Sequence, residues 1–104
     1  MLKWEPPFDP EETKRYSRDW TAEMDAASDT IASANFIIET PDTGLAIMDT
    51  SVDASGKIAT LWISSQDRAI VRTKLGSIVL INHTITTNGG TTLNERIGLK
   101  LLEK

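Results

Sequence analysis

The chain holds one histidine, His83, and no cysteine, so side chains able to do chemistry are few and scattered. A lone imidazole can serve as a base or a metal ligand. Without cysteine or a second histidine, a transition-metal site is not expected. Disulfides, thiolate zinc sites and cysteine nucleophiles are excluded outright. His83 falls mid-strand between Asn82 and Thr84 and reads as a partly exposed strand residue. Ser64-Ser65 lacks the Gly-x-Ser-x-Gly elbow of a hydrolase nucleophile and reads as turn chemistry at a strand end. Asp49 and Asp53 share a polar stretch before Gly56 where carboxylates could meet calcium, but the EF-hand pattern is missing and the stretch reads as a solvated loop. Glu11-Glu12 and Asp25/Asp29 would pair only by tertiary accident, so no general acid or base is assigned. The glycine loops that cradle phosphates are absent. Asn82-His83-Thr84 spells a glycosylation acceptor, but it lies inside a predicted strand. The expectation is a protein with no catalytic residue, no cofactor and no metal.

The elements that would position any site come from 104 residues, enough for one domain with a real core. No apolar run approaches the roughly 18 residues of a membrane span, and the start lacks the apolar core of a secretory signal. The expectation is a soluble protein without a cleaved signal. The net charge of −4 argues against nucleic acid, whose phosphates call for Lys and Arg. That charge is unevenly spread. Residues 1–53 carry 12 acidic and 4 basic side chains, and residues 54–104 carry 3 and 7.

Prolines at 6, 7 and 10 rule out a regular helix at the start and favour extended backbone over residues 1–15. Asp9-Pro10-Glu11-Glu12 could open one short turn. Residues 16–24 alternate with period two and predict a strand. Further strands are predicted at 30–39, 45–48, 57–64, 77–87 and 93–102, with a polar loop at 49–56. Arg68 to Leu75 suits either a strand or a short helix. Asn88-Gly89-Gly90 supplies the hairpin turn before the last strand. The pattern is all-β: an immunoglobulin-like sandwich of about six or seven short antiparallel strands, residues 16–104, behind an extended arm, residues 1–15. Trp20, Phe36, Leu61, Ile63, Val79, Ile81, Ile97 and Leu99 are its expected core.

Several motifs, in order, resemble the fiber–tail adaptor proteins of tailed bacteriophages. The Trp- and Pro-marked arm leads into Tyr16-Ser17-Arg18-Asp19-Trp20. Asp29-Thr30-Ile31-Ala32-Ser33, Phe36, Gly44-Leu45 and Leu61-Trp62-Ile63-Ser64 follow. Asn82-His83-Thr84-Ile85-Thr86-Thr87 then precedes Gly89-Gly90. The resemblance covers nearly the whole chain. It departs at Arg68–Lys74, where the family has a Gly-rich turn, and at Ile78, where it often has Tyr. It implies a structural role on the virion, in the tail or neck region, with assembly in the host bacterial cytoplasm. The implied partners are other tail, neck or fiber proteins, with copies forming a homo-oligomeric ring or arranged on one. Nucleic acid and membrane are not expected partners.

Partner-binding candidates follow from the arm and the charge split. Trp4 and Phe8 are apolar anchors in a polar arm. They could fold back onto the chain's own core or dock on a neighbouring subunit, and docking on a neighbour is the expectation put to test. Lys57, Arg68, Arg72 and Lys74 are expected to meet acidic surface of another copy. The alternative is a free-standing binding module of adhesin or carbohydrate-binding type, with Trp62 and Tyr16 as its exposed aromatics.

Overall fold

The computed structural model describes residues 2–103. Seven strands and two short helices run in the order β1 (Leu2–Lys3), β2 (Thr13–Asp19), α1 (Thr21–Ala27), β3 (Ile31–Ile38), β4 (Leu45–Val52), β5 (Ile58–Ser65), α2 (Arg68–Thr73), β6 (Ile78–Thr87) and β7 (Thr92–Lys100). They form an all-β sandwich: one sheet in the order β1-β7-β6-β3 faces another in the order β2-β5-β4. Period-two patterning sets the layers. In β6, Val79, Ile81, His83 and Ile85 point inward between half-exposed or exposed neighbours, and in β5 Ala59, Leu61 and Ile63 do the same. All eight expected core residues are buried.

The last hairpin is as the sequence predicts, with β6 and β7 antiparallel and in register from Ile78↔Lys100 to Thr86↔Thr92. Gly90 takes the positive φ of 90° that its turn requires. Not every strand is antiparallel, since β1 runs parallel to β7.

Two expected elements differ, and a third, left open, is resolved. The strand expected over 16–24 lies earlier, at Thr13–Asp19, and the chain then turns into α1. Alternation alone cannot see this, because Trp20 and Met24 face the core in either geometry; the helix-forming run Ala22-Glu23-Met24 is what decides. Asp19 Oδ1 accepts the Thr21 amide at 2.8 Å and supports the helix start. Second, the loop expected at 49–56 is mostly strand. β4 continues to Val52 past a bulge between Ile47 and Asp49, and only residues 53–56 turn. Third, the ambiguous segment at 68–75 is α2, with Asp67 accepting from the Ala69 and Ile70 amides as an N-cap.

The arm is extended, as its prolines require, and it lies on the chain's own sandwich. The Trp4 amide donates to Gly98 O, the Phe8 amide to Lys100 O, and the Leu102 amide to Phe8 O. Trp4 and Phe8 are both buried in the common core. The Trp4 indole stacks on Tyr16 with ring centroids 5.2 Å apart, and its Nε1 donates to Ser17 O at 2.9 Å. Asp9 accepts from the Glu11 amide through its side chain and from the Glu12 amide through its carbonyl, giving the expected turn.

Candidate functional site

His83 is fully buried, which corrects the expectation of a partly exposed residue. Its position in β6 directs it inward, where its ring lies parallel to Phe36 with centroids 4.0 Å apart. The indole Nε1 of Trp20 donates to Nε2 at 3.0 Å. An indole nitrogen only donates, so Nε2 must be the acceptor and the proton must sit on Nδ1. Nδ1 then donates to Asn35 O at 3.0 Å. Burial is the main force that holds the imidazole below its ordinary pKa. Both nitrogens are thus committed to structure, and neither faces a space where a substrate could sit.

The run Tyr16–Trp20 works the same way. The Tyr16 hydroxyl donates to Pro6 O at 2.9 Å. Its pKa is driven far above the ordinary value, chiefly by burial and then by Glu12 and Glu5. Arg18 clasps the two sheets together. Its Nε and Nη2 reach the Glu95 carboxylate on β7 at 2.8 and 3.1 Å, and its guanidinium lies 3.9 Å from the centroid of the Trp20 ring. That bidentate clasp gives no sequence signal, because Arg18 and Glu95 are 77 positions apart.

One open cleft of about 620 Å³ lies at the α1 end of the sandwich, lined by Met24, Asp25, Asp29, Thr30, Lys57 and Asn88 among others. Three loops meet there. Asn88 donates through its amide to Thr30 O and through its side chain to Thr30 Oγ1, and the Ile31 amide donates to Gly56 O. Asp29 Oδ1 accepts from the Thr30 amide at 2.8 Å and the Gly89 amide at 3.1 Å. Hydrogen bonds to the Thr87 side chain and then to the Thr30 amide hold its pKa below the ordinary carboxylate value, so it remains ionised. Asp25 is paired with Lys57 at 2.5 Å. The cleft therefore holds carboxylates already engaged in binding its own loops. Among the described residues, no group of three or more His, Cys, Asp or Glu is placed to hold a metal ion. No helix among them is long and apolar enough to cross a membrane.

The residues expected to meet a partner are dispersed. Trp4 and Phe8 occupy the chain's own core and offer no ring to a neighbour. The physical reason is that a small sandwich gains more by burying two large rings on its first and last strands than by leaving them in water. Lys57 pairs with Asp25 at one end of β5. Arg68 and Arg72 sit on α2 at the other end and share Glu11, with Glu103 3.9 Å from Arg72. Lys74 follows on the same helix end, with its amide donating to Val71 O. The charge split of the sequence is thus met largely inside one chain: Asp25 with Lys57, Glu11 with Arg68 and Arg72, and Glu39 with Arg96. Of the two aromatics singled out for a glycan surface, Tyr16 is buried and Trp62 is 39% exposed.

The fold is a small β-sandwich, and His83, Tyr16 and the carboxylates of the cleft are hydrogen-bonded or ion-paired within the chain. The family model of the podophage GP4 fiber-tail adaptor protein gp77 matches residues 9–100, and the chain belongs to that family. No curated protein matches the chain. Membership makes it a bacteriophage tail adaptor of the virion, a protein that works by contact with other tail or fiber proteins. The sequence motifs acquire physical roles accordingly. Asp29-Thr30 locks the last hairpin, Gly44 allows the backbone to pass against Asp67, and Tyr16–Trp20 seats the arm.

Proposed function

We propose that the protein links tail or neck components of the particle to fibers or to neighbouring subunits, with its copies arranged on a ring and assembled in the host bacterial cytoplasm. Its role is binding, without catalysis or cofactor. The observation that carries this reading is the family match over residues 9–100. The exposed side of α2 is the contact surface best suited to an acidic neighbour. Arg68 and Arg72 keep substantial exposure while sharing Glu11, with Glu103 at the edge of Arg72, and Lys74 lies beside them. Lys57 supplies a second basic point at the far end of β5. Trp4 and Phe8 support the partner surface from inside, by fixing the arm against β7.

The test is a phage lacking this gene, with particles analysed by mass spectrometry and electron microscopy. Particles with tails but without fibers are expected, restored by the wild-type gene and weakly or not at all by Arg68→Glu/Arg72→Glu. Particles that retain a full set of fibers would overturn the reading. The free-standing adhesin or carbohydrate-binding alternative keeps Trp62 but loses Tyr16 to the core.

A further inference from the structure

The outer face of the β2-β5-β4 sheet carries one large aromatic in a small polar setting. Register places Arg15 of β2 directly opposite Trp62 of β5, and Asp49 of β4 directly opposite Trp62 on the other side. Directly opposed residues share a face, so cation, indole and carboxylate form one row across three strands spaced about 4.8 Å apart. Arg15 leans over the indole, 5.7 Å from its centroid. The next row is Ser17, Thr60 and Ser51, with Ser17 and Thr60 hydroxyls bonded at 2.9 Å. The row on the other side, Thr13, Ser64 and Ala46, is equally small. Met48, in the bulge of β4 beside Asp49, is a second large exposed side chain at this edge.

Both charges of the central row are also without an ion pair among the described residues. Of the five arginines, Arg18, Arg68, Arg72 and Arg96 each meet a carboxylate, whereas Arg15 makes no ion pair among the described residues. Asp49 makes none either, accepting only the neighbouring Thr50 amide. A row reading plus, aromatic, minus is complementary to itself in one way. A two-fold axis parallel to β5 sets Trp62 on Trp62 and brings Arg15 of each copy over Asp49 of the other. An axis across the strands would set like charge on like.

We propose that this face docks a second copy of the same chain, with a two-fold axis parallel to β5 and Trp62 at its centre. The proposal stands independently of the adaptor reading. Being isologous, the contact uses each Arg15–Asp49 pair twice. A three-strand face is smaller than the roughly 800 Å² per partner of a standard interface, so the dimer is weak, with a Kd on the order of 10–100 µM.

The test needs no partner protein: native mass spectrometry and light scattering of the purified chain over a concentration series reaching about 500 µM, well above that Kd. Wild type is expected to shift from monomer to dimer. Arg15→Glu and Asp49→Lys should each weaken the dimer at least about tenfold, since each reversal sets like charges together at two places. The double reversal Arg15→Asp/Asp49→Arg should restore it to within about threefold. Trp62→Ser should abolish it. Thermal melts establish that each variant is folded, and if Arg15→Glu is not, Asp49→Lys reads the same pairing. A chain that stays monomeric overturns the proposal. So does a dimer indifferent to the single reversals, or one that the double reversal fails to restore. If the isolated chain is monomeric while Trp62→Ser lowers incorporation into particles, the face belongs to another virion protein and the second-copy assignment is wrong.

Discussion

His83 keeps both of its hydrogen bonds only as the neutral imidazole, because a proton on Nε2 would face the Trp20 N–H. Its folded pKa is lowered, so the folded state resists a proton that the unfolded chain takes up near pH 6.5. Stability from this group is complete above about pH 6.5 and is lost as the pH falls toward the lowered folded value. His83 is the sole histidine, so this loss should begin before the carboxylates titrate. Urea midpoints measured from pH 7.5 to 4.5 should fall, and His83→Gln, which can still accept from Trp20, should flatten that fall. A wild-type profile flat down to pH 4.5 would refute the assignment. Trp20 itself fills the core, and Trp20→Ala should cost about 3–5 kcal/mol in chemical denaturation. Trp20→Phe leaves the buried acceptor Nε2 of His83 without its donor and should cost about 1–3 kcal/mol.

The elements that were legible are those whose patterning has one reading. The alternation of β6, the β-branched content of β3 and the Asn-Gly-Gly turn left little choice, and the expected core follows from them. Helix α1 was hidden because Trp20 and Met24 fit both a period of two and a step of four. The bulge in β4 and the Arg18–Glu95 clasp depend on partners far along the chain, which no local pattern encodes. The lock on the last hairpin is of the same kind, and it can be measured. A Cβ on Gly89 would lie 2.6 Å from Asp29 Oδ2, and that carboxylate is held in place by the Thr30 and Gly89 amides. Asp29→Ala should lower the urea midpoint, since it removes the acceptor of the Thr30 and Gly89 amides. Gly89→Ala should also destabilise, but much less once Asp29 is gone, so that a double-mutant cycle shows coupling between the two. Strict additivity would mean that the two residues do not bear on each other.

Across the whole molecule, the arm belongs energetically to the sandwich it rests on. Removing residues 2–12 takes Trp4 and Phe8 out of the core, and each large aromatic is worth about 3–5 kcal/mol there. The sum is comparable with the 5–15 kcal/mol that holds a typical domain together, so the truncated chain should be largely unfolded by circular dichroism. A truncated chain that melts like the full one would show the arm to be dispensable for folding. The sequence made the two rings conspicuous but left their destination open, because a proline-stiffened arm reaches its own sheet as readily as another. Where it lands has a mechanical meaning. β1 runs parallel to β7, and the arm is fastened to β7 and the residues after it through Trp4, Phe8 and Leu102. A pull applied between the start of β1 and the end of β7 draws these strands past one another along their length. The backbone hydrogen bonds between them are then loaded in shear and must yield together, whereas an antiparallel pair pulled from its open end unzips one bond at a time. The fold is thereby braced against tension applied between its first and last strands.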